Sequence, residues 1–102
     1  MGLDVILQTE FGEEEGTVAD PHNVLVKLLP PPSDRTFRFL PFIDPYGNTV
    51  FNRLQVDELI LELNRIQQQA ISAREVELLD QIKELAERVK RGIHMYLKFE
   101  GD

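Results

Sequence analysis

A chain of 102 residues with 42% hydrophobic content is long enough for one domain around one core and too apolar to be read as disordered. It contains no cysteine, which excludes disulfides, thiolate metal sites and a cysteine nucleophile and fits a reducing cytoplasm. The formal net charge is −7, and residues 1–34 carry −6 of it, which disfavours nucleic-acid and anionic-membrane partners and suits either plain solubility or a basic protein partner.

Residues 3–11 are rich in β-forming side chains and read as a first strand. No basic region precedes their short apolar run, so no signal peptide is expected, and no apolar stretch reaches the length of a bilayer-crossing helix. Residues 12–16, Gly-Glu-Glu-Glu-Gly, read as a turn or mobile loop, and Thr17-Val18 as a short second strand. Asp20-Pro21-His22-Asn23 is turn chemistry, since proline presets the backbone and the flanking acid and amide bond locally. Residues 24–29 form a short apolar run between breakers and are expected to be a strand buried on both faces. Pro30, Pro31 and Pro32 end it, and read as a stiff connector rather than a ligand for a proline-motif reader. Residues 36–43 are expected to be a third strand, with Pro41 marking a sheet edge or bulge. Asp44-Pro45-Tyr46-Gly47 fits a type I turn, and residues 48–51 then return as a short partner strand.

Two helix starts follow. Asn52 and Ser72 are good N-caps, Gln55 and Glu75 lie three residues on as capping-box partners, and Phe51/Val56 and Ile71/Val76 are spaced as hydrophobic staples. The first helix runs from about Arg53 into the Gln67-Gln68-Gln69 region, with Val56, Leu59, Ile60, Leu63, Ile66 and Ala70 on one face. The second runs from about Ala73 to Arg91, with Val76, Leu79, Ile82, Ala86, Val89 and Ile93 in steps of three and four. Glu84–Arg88 and Glu87–Arg91 are spaced for ion pairs, and Gly92 is placed to cap the end. Leu54, Leu61 and Leu78 fall off the main stripes and either form an exposed patch or widen the buried face. Because residues 67–73 contain no glycine or proline, one unbroken rod from Arg53 to Arg91 is the alternative to two helices. Residues 94–100 alternate apolar Met95, Leu97 and Phe99 with His94, Tyr96, Lys98 and Glu100. They read as a half-buried strand that must insert beside earlier ones. The expected architecture is a single α+β domain over residues 1–102. It has a mainly antiparallel sheet, a two-helix hairpin on one face, and the order β-β-β(-β)-α-α-β.

No catalytic residue, metal site or cofactor is expected. His22 and His94 lack zinc or calcium spacing, even with Glu13 to Glu15 nearby in sequence. Ser33 follows three prolines and Ser72 is spent as a cap, and no glycine-rich loop opens either helix. Two candidate surfaces remain. A basic protein partner would meet Glu13, Glu14, Glu15 and Asp20. A small polar ligand would instead meet Asp44, Tyr46, Asn48 and Arg53 around the turn, with Thr49 and Asn52 close by and His94 as a base. A deep pocket joining the turn to His94 would favour the ligand; a flat acidic face would favour the protein partner. A homodimer is left open.

The segments Phe42-Ile-Asp-Pro-Tyr-Gly-Asn-Thr-Val-Phe-Asn52 and Tyr96-Leu-Lys-Phe-Glu-Gly-Asp102 resemble a family of short bacterial proteins without an established activity. These proteins share the Ile-Asp-Pro-Tyr-Gly turn, a leucine-rich helix pair and a closing Lys-Phe-x-Gly-Asp tail. By size and charge alone the chain is also similar to immunity proteins, which neutralise toxins by covering their active sites. That similarity implies a protein-binding role.

Overall fold

The computed structural model describes residues 2–70 and 72–101. Its elements are β1 (Asp4–Thr9), β2 (Glu14–Val18), α1 (Val24–Leu28), a 3-10 turn (Leu40–Phe42), β3 (Asn48–Phe51), α2 (Arg53–Gln67), α3 (Ala73–Arg91) and β4 (Met95–Glu100). The four strands form one antiparallel sheet in the order β2-β1-β4-β3. The last strand therefore lies between β1 and β3, as a late insertion requires.

Register decides what the sheet buries. Val5 stands opposite Phe99 and Val18, Leu7 opposite Leu97 and Gly16, and Phe51 opposite Leu97. These side chains share one face because side-chain direction alternates along a strand. All but Gly16 belong to the buried core. The helices supply the facing layer: Val56, Leu59, Leu63 and Ile66 from α2, and Leu78, Leu79, Ile82, Leu85, Ala86 and Val89 from α3. Leu78 thus widens the buried stripe, whereas Leu54 and Leu61 stay exposed. Val76 and Ile93, expected on the buried stripe of the second helix, are also exposed. At Gly16, α3 packs closely on β2. A Cβ there would lie 3.0 Å from Leu85 Cδ2 and 3.2 Å from an Arg88 nitrogen.

The helix pair is two helices, not one rod. Ser72 Oγ accepts the Glu75 N–H at 3.1 Å, and Asn52 and Gln55 form the full reciprocal capping box. Ile71, the first half of the second staple, lies outside the described residues. The helices are joined by the ion pair Lys90–Asp57 at 3.0 Å and by Lys83, which donates to Asn64 and Gln67. Arg88, expected to pair with Glu84, donates instead to the Glu15 carbonyl oxygen. Gly92 is the cap residue of α3 but is extended, and the left-handed residue of that turn is His94, at φ 54°. Replacing Asn52 with Ala removes the acceptor of two backbone N–H groups, and chemical denaturation should register a loss of about 1 kcal/mol.

Three expectations are corrected. Residues 24–29 are not a doubly buried strand; Val24–Leu28 is a helix. The cause is Asp20, whose carboxylate accepts the N–H groups of Val24 and Leu25 at 2.9 and 2.7 Å and holds the first turn. Residues 36–43 are not a strand but a loop closed by the 3-10 turn, because Glu62 takes up the N–H groups of Arg38, Phe39 and Leu40 that a ladder would need. Consequently β3 pairs with β4 and not with residues 36–43. Finally, Glu14 to Gly16 are strand rather than loop, and the turn is confined to the residues before them.

Candidate functional site

The β1–β2 hairpin presents the acidic side chains. Its turn is tied by Thr9, whose N–H donates to the Glu13 carbonyl and whose hydroxyl accepts from Phe11 and Glu13. Glu13, Glu14 and Glu15 are all exposed, and β2 is an edge strand with no strand on its outer side among the described residues. The Arg88–Glu15 bond and the register shift between Leu7 and Gln8 fix how the strand lies. Acidic side chains on a free edge also discourage unwanted strand pairing. Asp20 does not belong to this face: it is 3% exposed, and its carboxylate is spent on the start of α1. It is a positioning group and is withdrawn as a partner-binding residue.

The five residues of the alternative ligand site are not brought together. Asp44, Tyr46 and Asn48 cluster at the end of the sheet where Asn48 stands opposite Glu100. There Asp44 accepts the Tyr46 N–H at 2.9 Å, and its own N–H donates to the Thr49 hydroxyl. Gly101 docks on this turn by donating to the Gly47 carbonyl at 2.7 Å. A Cβ on Gly101 would sit 2.3 Å from the Pro45 carbonyl oxygen, so only glycine allows that approach. The Ile43-Asp44-Pro45-Tyr46-Gly47 turn and the Gly101 tail, far apart in sequence, are therefore one structural unit.

Arg53 and His94 lie at the opposite end of the sheet. With Asn52, Leu54, Met95 and Tyr96 they line a shallow, open cleft of about 210 Å³. Arg53 and Leu54 also border a second hollow with Asp57 and Lys90. His94 Nδ1 lies 3.8 Å from a Glu10 carboxylate oxygen. The Asp57 carboxylate, hydrogen-bonded to Lys90, raises the pKa of that ammonium above its ordinary value, and Glu87 adds to the effect. An open cleft with one guanidinium and one exposed imidazole lacks the desolvation and converging donors that ligand sites need. Among the described residues, no group of three or more His, Asp or Glu is placed to hold a metal ion. Among them, too, no helix is long and apolar enough to cross a membrane.

Two features escaped the reading of the sequence. Glu62 is 3% exposed on the apolar face of α2. Its spacing, three after Leu59 and four before Ile66, is the signal that could have found it, since an acid on a buried stripe needs a partner. Arg65, one turn on, donates to the Thr36 carbonyl and hydroxyl and lies 3.9 Å over the Phe37 ring. Together they clamp residues 36–40 onto α2. The second feature is the apolar exposure at the His94 end, where Phe11, Leu54 and Ile93 project. No family model, curated protein or solved structure matches this chain.

Proposed function

We propose that the chain is a protein-interaction module that binds a basic protein partner, immunity-like in using an acidic face rather than a catalytic centre. The observation that carries this reading is the edge strand β2 and its lead-in, where the consecutive residues Glu13, Glu14 and Glu15 are all exposed. Uncompensated acids at a rigid edge attract a cationic surface at long range and orient it before contact. Phe11, 81% exposed in the adjoining turn, supplies an apolar anchor. The cleft at His94 supports the small-ligand alternative less well, because it is open and does not include Asp44, Tyr46 or Asn48.

The test is kinetic. A partner captured from the native host is immobilised, and association is followed for the protein and for a variant carrying Glu13→Gln, Glu14→Gln and Glu15→Gln. Steering predicts association about tenfold slower or worse at low salt, with the difference shrinking as salt rises and dissociation little changed. Equal association rates at low salt would sink the proposal.

A further inference from the structure

Among the described residues the sheet has two free edges, β2 and β3, and they are built differently. β2 carries Glu14 and Glu15, and its register against β1 shifts between Leu7 and Gln8. Charges and bulges are what keep an edge strand from pairing with another chain. β3 has neither. Asn48, Thr49, Val50 and Phe51 are uncharged, and their register against β4 is unbroken. Among the described residues, no backbone hydrogen bond outside the ladder with β4 reaches them. Residues 38–40 make no ladder with β3 because Glu62 holds their N–H groups in the helix layer. An unguarded row of N–H and C=O groups is a template for a further strand.

The two ends of β3 say which strand. Tyr46, 79% exposed, stands four residues before Val50, and Leu54, 83% exposed, stands four residues after it. Charge is divided in the same way. Asp44 lies at the Tyr46 end, and Arg53 lies at the Leu54 end. Arg53 has no ion pair or hydrogen bond among the described residues. The other charges nearby are matched, Asp57 by Lys90 and Glu100 by Lys98, both at 3.0 Å. Directly opposite residues of an antiparallel pair share a face, so a two-fold axis on this edge must pass through a residue rather than between two. An axis at Val50 sets Thr49 of one copy against Phe51 of the other. It also brings the corner with Tyr46 and Asp44 to the corner with Leu54 and Arg53, twice. Aromatic meets leucine and acid meets base, as a self-complementary interface requires. An axis at Thr49 would set Tyr46 against Asn52 and leave Leu54 unmatched.

We propose that β3 is a homodimer edge, at which a second copy of the chain pairs antiparallel about a two-fold axis at Val50 and joins the two sheets into one. The inference goes beyond the basic-partner reading and shares no residue with it, so either can fail alone.

Sedimentation equilibrium reads the assembly. The protein should approach twice the monomer mass reversibly as concentration rises; monomer mass at every concentration up to about 1 mM would overturn the proposal. Val50→Lys sets like charges face to face at the axis and should weaken the dimer about tenfold or more, whereas Val50→Thr should keep it. Circular dichroism verifies that both variants fold, and an unaltered dimer in folded Val50→Lys would refute the axis. Thiol cross-linking reads the register, since the chain has no cysteine of its own. Val50→Cys should oxidise to a covalent dimer, and Thr17→Cys on the guarded edge should not. Tyr46→Cys and Leu54→Cys should each remain single when alone and should join through a short bismaleimide when mixed. Cross-linking of Thr17→Cys in place of Val50→Cys, or failure of the mixed pair to join, would overturn the arrangement.

Discussion

Replacing Glu62 with Ala should destabilise the protein by about 3 kcal/mol or more, through three backbone donors that lose their acceptor at once. The carboxylate receives the Arg38 N–H at 2.7 Å, the Phe39 N–H at 3.1 Å and the Leu40 N–H at 3.0 Å, in a place where the side chain is 3% exposed. An unmet buried donor costs roughly 1–3 kcal/mol, and bonds to a charged acceptor are stronger than neutral ones. Glu62→Gln should fall between the two. It keeps one oxygen, but its amide turns a donor toward donors. Urea unfolding gives the free energies, and hydrogen exchange at residues 38–40 separates local from global loss. If Glu62→Ala leaves both stability and that exchange unaltered, the carboxylate is not what holds the segment.

The same residue explains what the sequence did and did not disclose. The helix starts were legible because their causes are local: Asn52 and Gln55, like Ser72 and Glu75, meet across three residues. The closing strand was legible because the alternation of Met95, Leu97 and Phe99 is a local property, and burial of Leu97 and Phe99 follows from it. Residues 36–43 were misread because their conformation is set by a side chain 22 to 24 positions away, which no window of periodicity includes. Val24–Leu28 was misread for a related reason. Four apolar residues around Lys27 fit a buried strand or a buried turn of helix equally well, and the deciding group, Asp20, lies just before them in what reads as an ordinary turn.

The candidate surfaces divide in the same way. Glu13 to Glu15 announce themselves as a run, and their exposure on an edge follows from a hairpin too short to bury them. The grouping of Asp44 with His94 failed because nearness to a common strand is not nearness in space. β3 pairs with β4 so that Asn48 meets Glu100, which sends the turn to one end of the sheet and Arg53 to the other. Of Phe11, Leu54 and Ile93, exposed at the His94 end, only Leu54 carries a sequence signal, its place off the main stripe of α2. Their meeting there depends on the order β2-β1-β4-β3, which brings the hairpin turn, the start of α2 and the end of α3 to the same side.

That order makes β4 the strand on which the sheet depends, and Phe99 its most demanding side chain. Phe99 is fully buried and faces Val5 on one side and Thr49 on the other. Its ring meets Phe51 edge-on, with centroids 5.7 Å apart at 87°, and Phe51 in turn meets Phe39 at 5.4 Å. Phe99→Ala should therefore cost about 3–5 kcal/mol, the sum of lost burial and an unfilled cavity. A domain of this size has about 5–15 kcal/mol in total, so the variant should unfold far earlier in denaturant while Phe99→Leu remains folded at a smaller loss. Edge-to-face geometry adds a finer test. If the Phe51–Phe99 contact contributes beyond burial, a double-mutant cycle should return a coupling of about 0.5–1.5 kcal/mol. Strict additivity of the two substitutions would show that the rings merely fill space. A loss below about 1.5 kcal/mol for Phe99→Ala alone would fall outside the range for a packed aromatic, and would mean that β3 is held in the sheet by its ladder with β4 rather than by the ring beneath it.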